Sequence, residues 1–430
     1  MSQAVTGDVL SNIIVGLDIG TSCIRCVIGQ VDEDNRLQVI GASKKPSRGL
    51  QKGVVVNIDA TVAAIKEALD EAEQAADVDV VSVYTAIGGA QVEGRTSSNG
   101  VAVDATKRNR RLEITEKTRN NAIESSIIFV HPEGKKLLHV IPQEYKIDEI
   151  PGYKDPVGIL GVRLDVSVYI VTAFITACSN LEMCLNRAGL VLDDIMLKTL
   201  AATVATLHKE EMELGSILID IGCDSTDVMV INNDAPIYIT SIPLGGSSVT
   251  SDIAQVKGIP KDIAEELKIN SGCCWLEGGE KDEEVIIREI GARPAEQTTK
   301  YELCEIIQPR MEEIMTMVRK EVIHHAGLKK LEGSIVLTGG GALMPGIRQL
   351  TQAVWRTESV RLGECPDMGR VPGENGYMYR SSDFATAMGL IMSAKSSANK
   401  DRGRKKVHPV KEKNPGGFAD KVKGIWKKFF

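Results

Sequence analysis

Two short segments of this chain place a carboxylate, a glycine turn and neighbouring hydroxyls in the same order, about half its length apart. The first is Asp18-Ile19-Gly20-Thr21-Ser22, closing the apolar run 13–17. The second is Asp220-Ile221-Gly222-Cys223-Asp224-Ser225-Thr226, closing the run 216–219. A second apolar run follows each, at 24–28 and 228–231, so each reads as two strands joined by a tight turn. Glycine lets turn backbone approach a ligand closely, and successive turn amides can converge on one anion. The hydroxyls of Thr21, Ser22, Ser225 and Thr226 add donors. Asp18 and Asp220 stand at strand ends, where a carboxylate can hold magnesium through water. One such hairpin is a weak signal; two in equivalent positions read as a phosphate site.

A third glycine element, Gly339-Gly340-Gly341, ends the apolar strand 333–338 and precedes Met344, Pro345 and a helical stretch. Pro345 suits a first helical position. Beside two phosphate loops, this turn reads as a surface for a purine ring. Glu265 and Lys268, on one predicted helix, offer a ribose acceptor and a partner for the base.

Elements able to hold these residues also come twice. A third strand (37–42) and a helix at 60–76 follow the first hairpin, with Val62, Ile65, Leu69 and Ala72 on one face. A third strand (236–242) and a helix from 246 follow the second. Internal duplication predicts two similar α/β lobes enclosing a cleft. The first lobe is expected at 12–84 and 166–213, interrupted by an inserted subdomain at 85–165. The second is expected at 214–250 and 323–394, interrupted by a helical insertion at 251–322. In that insertion Leu303, Ile307, Met311, Ile314 and Val318 form a stripe read as core.

Of 430 residues, 43% are hydrophobic and only 4% aromatic, so the cores should be aliphatic. Nine cysteines without regular spacing fit a reducing compartment rather than a disulfide framework. Cys23 and Cys26 are three apart on a predicted strand and face opposite sides, which argues against a zinc or redox pair. No leader-like start and no apolar run of about 18 residues is present, so a cytoplasmic location is expected.

Charge is unevenly spread. From Lys395 onward there are twelve Lys and Arg against three Asp and Glu; of totals of 51 and 58, the preceding 394 residues therefore hold 39 and 55. An acidic body with a basic tail does not suggest a nucleic-acid enzyme; it suggests that the tail alone meets something anionic. Residues 395–416 read as a basic, flexible linker. Within 417–430, Phe418, Val422, Ile425, Trp426, Phe429 and Phe430 form one stripe at the helical period. Lys421, Lys423, Lys427 and Lys428 lie opposite. A helix this short cannot cross a bilayer, and an aromatic stripe opposed by lysines is the interfacial pattern.

In this order, the two loops, the Ala-Glu-x-x-Lys helix at 264–268 and the glycine turn resemble the actin-like (ribonuclease H-like) ATPase superfamily. Within it the chain resembles the FtsA family of cell-division proteins. The specific marks are Leu138-His139-Val140-Ile141-Pro142-Gln143-Glu144-Tyr145, Asp155-Pro156-Val157-Gly158, Gly161-Val162-Arg163, Val249-Thr250-Ser251-Asp252, Gly291-Ala292-Arg293-Pro294 and Pro309-Arg310. The resemblance implies ATP and magnesium as ligands, an FtsA-type inserted subdomain, head-to-tail self-association and recruitment of later division proteins. It implies contact with the C-terminal peptide of FtsZ around 291–312, where Arg293 and Arg310 could pair with an acidic peptide. It also implies a peripheral position on the cytoplasmic face of the inner membrane at the division site. Two departures oppose a triphosphate: Cys23 stands where the family usually has lysine, and Cys223-Asp224 where it usually has small residues. Hydrolysing relatives carry Glu or Gln where this chain has Lys198-Thr199, so a nucleotide-regulated scaffold, at most a slow ATPase, is expected. The alternatives are a PilM-like pilus-assembly platform and a small-molecule kinase on the same core.

Overall fold

The computed structural model describes residues 12–103, 111–128, 133–277, 283–326, 333–372 and 376–404. The chain opens with an antiparallel meander of β1 (Ile13–Ile19), β2 (Cys23–Val31) and β3 (Leu37–Pro46). Helix α1 (Ile58–Ala76) starts at Asn57, whose side chain accepts from the Ala60 amide. As its spacing predicts, it buries Ile65, Leu69 and Ala72, with Val62 at the margin. Strand β4 (Ser82–Ile87) then pairs parallel with β1.

The chain next leaves the lobe. Strand β5 (Val92–Ala102), helix α2 (Glu116–Ile127) and strands β6 (Lys135–Ile147), β7 (Ile150–Tyr153) and β8 (Arg163–Phe174) build a separate sheet of order β7-β6-β8-β5. This sheet has its own core of Ile123, Ile127, Val140, Tyr145, Val166 and Val168. Strand β8 pairs with β5 from Arg163 to Ala173, so the first lobe resumes after Phe174 rather than at residue 166. An apolar run identifies a buried strand but cannot say which sheet receives it.

Helix α3 (Ile175–Ala188), strand β9 (Val191–Leu197) and helix α4 (Lys198–Thr206) complete the first lobe. The second lobe runs through β10 (Ser216–Ile221), β11 (Thr226–Asn232), β12 (Ala235–Ile242), α5 (Gly246–Lys257), α6 (Lys261–Ser271) and α7 (Lys300–His325). It ends with β13 (Ile335–Thr338), α8 (Ile347–Trp355), β14 (Val360–Leu362) and α9 (Ala385–Arg404). The sheets have orders β9-β4-β1-β2-β3 and β14-β13-β10-β11-β12. Strands β1 and β10 occupy the same central place, each antiparallel to its hairpin partner and parallel to its other neighbour. The duplication is therefore one of topology. The expected boundaries at 250 and 323 fall inside α5 and α7, and the apolar stripe from Leu303 to Val318 is buried as core.

Helix α9 binds the lobes together. Its residues Ala387, Met388, Leu390 and Ile391 are buried in a cluster that also takes in Leu218 and Met229 of the second lobe. Two glycines permit the approach. A Cβ at Gly16 of β1 would lie 2.3 Å from the Ala387 carbonyl oxygen, and one at Gly389 would lie 1.8 Å from that of Ala201 in α4. Because α9 continues to Arg404, the backbone at Lys395 is helical rather than the start of a linker. The expected membrane helix at 417–430 lies outside the described residues.

Replacing Gly389 by Val should force α9 away from α4. Overpacking of this kind costs about 1–3 kcal/mol, so the thermal midpoint should fall by several degrees. A calorimetric midpoint equal to that of the parent protein would contradict this packing.

Candidate functional site

Each phosphate-type loop is built by the same local rule. The Gly20 amide donates to the Cys23 carbonyl at 3.1 Å, and the Gly222 amide to that of Ser225 at 2.8 Å. A Cβ on either glycine would lie 2.8 or 2.9 Å from the same acceptor, so only glycine closes the turn. Hairpin register then fixes which charges face each other. Across β1 and β2, Asp18 is paired with Arg25; across β10 and β11, Asp220 is paired with Asp227. The first lobe presents a cation to its loop carboxylate, and the second presents another anion.

Both loops line one cleft of about 600 Å³ between the lobes. Gly20, Thr21, Ser22, Gly222, Ser225, Glu265, Lys268, Gly339, Gly340, Gly341 and Met344 all face it, as do Asp18 and Asp220. Thr226 does not; its buried hydroxyl donates to the Leu244 carbonyl at 2.9 Å and fastens the loop from behind. Gly339 has φ +82°, and a Cβ there would lie 2.2 Å from Asp220 Oδ1, whereas a Cβ on Gly340 would meet only Arg25 Nη2, in ordinary contact at 3.8 Å. The glycine turn thus seats the carboxylate and leaves a bare surface toward the cleft. Opposite it, Lys268 Nζ contacts Glu265 Oε2 at 2.6 Å and donates to Gly246 O and Thr250 Oγ1.

Sequence reasoning missed the charges that converge behind the loops. Arg25 and Lys44 both contact Asp383 Oδ2, at 2.9 and 2.8 Å. Lys198, the first residue of α4, reaches Asp18 Oδ1 at 3.0 Å, and Arg25 approaches Asp18 Oδ2 at 3.9 Å. Only Arg25 was signalled in the sequence, since the hairpin register implied by the turn sets it across from Asp18. Burial works against the charges of Arg25, Lys198, Asp220 and Asp383. It opposes the Lys198 ammonium, but Asp18 and Asp220 hold its pKa above the ordinary value. For Asp220, burial and then Asp227 and Asp18 push the carboxyl up to about 6 against the pull of Lys198. Burial would also raise Asp383, yet Arg25 and Lys44 keep it at about 2.

Two hydrogen bonds cross the cleft. Asp227 Oδ2 accepts from the Gly89 amide at 3.0 Å, and Asp224 Oδ2 from the Lys52 amide at 2.8 Å. Asp224 Oδ1 accepts from Ser247 Oγ at 2.7 Å. The carboxylate that looked hostile to phosphate is thus engaged between the lobes. Among the described residues, no group of three His, Cys, Asp or Glu side chains is arranged to hold a metal. Asp18 is already paired with cations, so this pair is not a ready magnesium cage. Cys23 faces the cleft, while Cys26 is buried with its thiol pushed up to about 12, in keeping with opposite sides of one strand.

The two arginines assigned to peptide contact lie on the second lobe, and both make ion pairs within the chain. Arg310 donates to Asp252 at 2.6 and 3.0 Å and also contacts Glu313. Arg293 donates to the Gly258 carbonyl at 3.0 Å and pairs with Glu296. Arg310 lines an open groove between α5 and α7.

Paired five-stranded sheets of one topology, with a glycine loop from each on a shared cleft, define the actin-like ATPase fold. Solved structures of that fold agree. The PilM-PilN type IV pilus biogenesis complex matches with TM-score 0.61 and 20% identity, covering 88% of this chain and 97% of that one. MreB5 of Spiroplasma citri, solved bound to ADP, matches with TM-score 0.52 and 14% identity over 92% and 99%. Sequence narrows the class. The family model for cell division protein FtsA matches residues 217–389, and that for the SHS2 domain inserted in FtsA matches 89–172, the region of the separate sheet. Cell division protein FtsA of Borreliella burgdorferi (strain B31) is 37% identical over 414 residues, covering 96% of this chain and 98% of that one. The chain belongs to the FtsA family of cell-division proteins.

The Asp383 cluster makes a pH-dependent contribution with a defined sign. Its folded pKa of about 2 lies below the ordinary 3.8, so its ion pairs stabilise the fold at neutral pH and lose that effect as pH falls toward 2. Asp383→Asn should cost about 2 kcal/mol at pH 7, and the gap should narrow by roughly half near pH 3. Urea titrations at both pH values test this; an unchanged gap would refute it.

Proposed function

We propose that this protein binds ATP in the interlobe cleft and acts as a self-associating scaffold that ties FtsZ to the cytoplasmic face of the inner membrane and recruits later division proteins. One observation carries the reading: two glycine loops and a bare glycine wall, from both lobes, meet on a single cleft. Loop amides and the hydroxyls of Thr21, Ser22 and Ser225 would receive phosphates. Gly340 and Met344 would meet the purine, and Glu265 and Lys268 the ribose and base. Efficient hydrolysis is not expected, because the ammonium of Lys198 has donors only and cannot accept a proton from water. Gly340→Arg should retain its circular dichroism, since Gly340 is exposed and a Cβ there makes only an ordinary 3.8 Å contact with Arg25, and should lose at least about tenfold in ATP affinity by calorimetry. Equal affinity would reject the cleft as the site.

Tethering needs two further surfaces. The groove between α5 and α7 offers Val256, 65% exposed, beside Ile306, Pro309 and Arg310. The lining sets Asp252, Glu302, Glu305 and Glu313 against Lys257 and Arg310, so a partly apolar peptide such as the FtsZ C-terminus would dock through Val256 and Ile306 and place a carboxylate only by displacing one already on Arg310. The aromatic and lysine faces of 417–430 supply the membrane contact; each lysine near anionic lipid adds about 1 kcal/mol, so one tail binds reversibly. Self-association, with the separate sheet at one end contact, would then raise avidity. Co-sedimentation with acidic liposomes tests the chain of contacts. The parent protein should carry FtsZ into the pellet, with a steeper than linear dependence on its own concentration. Trp426→Glu with Phe429→Glu should leave both proteins in solution, and Val256→Glu should pellet without FtsZ. Wild-type behaviour of either variant would sink the corresponding surface.

A further inference from the structure

The cleft contains a cation of its own. Lys198 Nζ stands 3.0 Å from Asp18 Oδ1 and also feels the charges of Asp220 and Asp227 across the lobe boundary. The other cations of the cleft are committed elsewhere, Arg25 and Lys44 to Asp383 and Lys268 to Glu265. Of the cations lining the cleft, Lys198 makes the nearest contact to the loop carboxylate Asp18, at 3.0 Å against 3.9 Å for Arg25, which Asp383 also holds.

Its position is fixed by the backbone on both sides. The amide of Leu197 donates to His139 Nε2 at 2.9 Å, which holds the start of α4. Gly88 leaves room beside it, since a Cβ there would lie 3.1 Å from Lys198 Cβ and 2.8 Å from Asp227 Oδ2. Lys198 can thus descend between the strand ends. We propose that the Lys198 ammonium is the resident cation of the cleft, occupying between Asp18 and Asp220 the place a divalent ion would take, so that a metal enters only when Lys198 is displaced. Magnesium demands near-ideal octahedral oxygen ligands and dehydrates reluctantly. A carboxylate already paired with an ammonium is a poor ligand for it.

The consequence is read without nucleotide, so its failure would leave the ATP reading standing. Manganese alone is titrated into the full-length protein, with binding followed by electron paramagnetic resonance of the free ion. The parent protein and Lys198→Arg, which keeps the charge, should show no site in the cleft. Lys198→Ala should leave Asp18 and Asp220 without that ammonium and gain a site, completed by water, at least about tenfold tighter than any in the parent. If Lys198→Ala is poorly folded, manganese should raise its thermal midpoint and leave that of the parent unchanged. Binding by the parent equal to that of Lys198→Ala, or no gain by either readout, would overturn the proposal.

Discussion

A half-buried ammonium must keep carboxylates around it, and in this fold that requirement falls on Lys198, where the two lobes meet. The need arises from hairpin register. Because side chains on paired strands share a face, the residue opposite each loop carboxylate is set by turn length alone. That rule gives Asp18 an arginine and Asp220 a second aspartate. The second lobe would be left with two close negative charges unless a cation crossed from the first. Lys198 supplies it, while the Gly89 amide supplies a hydrogen bond to Asp227. The duplicated halves are alike in topology and unlike in charge, and the difference draws them together.

The sequence made the local features legible and left the convergent ones hidden. Gly20 and Gly222 could be read because a tight turn before a returning strand has few solutions. The stripe from Leu303 to Val318 could be read because a helix repeats its buried face. Asp383 and Lys44 could not, since they reach the cleft from segments over three hundred residues apart. Lys198 was visible only as a missing acid. Thr226 looked like a phosphate donor because it follows Ser225, but strand alternation turns it inward to Leu244. Strand β8 was misplaced for a related reason: apolar pattern states that a segment is buried, not against what.

Fold and family answer different questions here. The likeness to PilM and MreB5, at 20% and 14% identity, fixes the two-lobed architecture and nothing finer. What separates this chain from a generic actin-like ATPase is the sheet between β4 and α3, with a core of its own. A unit with an independent core can change partners without disturbing the cleft. Its attachment is not loose, however. The Tyr169 hydroxyl accepts from the Ile239 amide of β12 at 2.8 Å, and Gln143 Nε2 donates to the Pro236 carbonyl at 2.7 Å. The inserted sheet therefore touches the second lobe as well as the first, and limits how far the lobes can part.

One helix joins the cleft to the groove between α5 and α7. The N-terminal end of α5 belongs to the cleft: Ser247 bonds Asp224, and Thr250 is held by Glu265 and Lys268. Its C-terminal part carries Asp252, Val256 and Lys257 into the groove that faces α7. At 1.5 Å per residue, the 12 residues of α5 span only about 18 Å, and the helix is packed through Val249 and Ile253. A short packed helix transmits displacement of one end to the other more readily than it bends. Asp224 accepts from Ser247 at one end of α5 and from Lys52 of the opposite lobe. Any change in the separation of the lobes must therefore act on the same carboxylate that anchors the groove's wall.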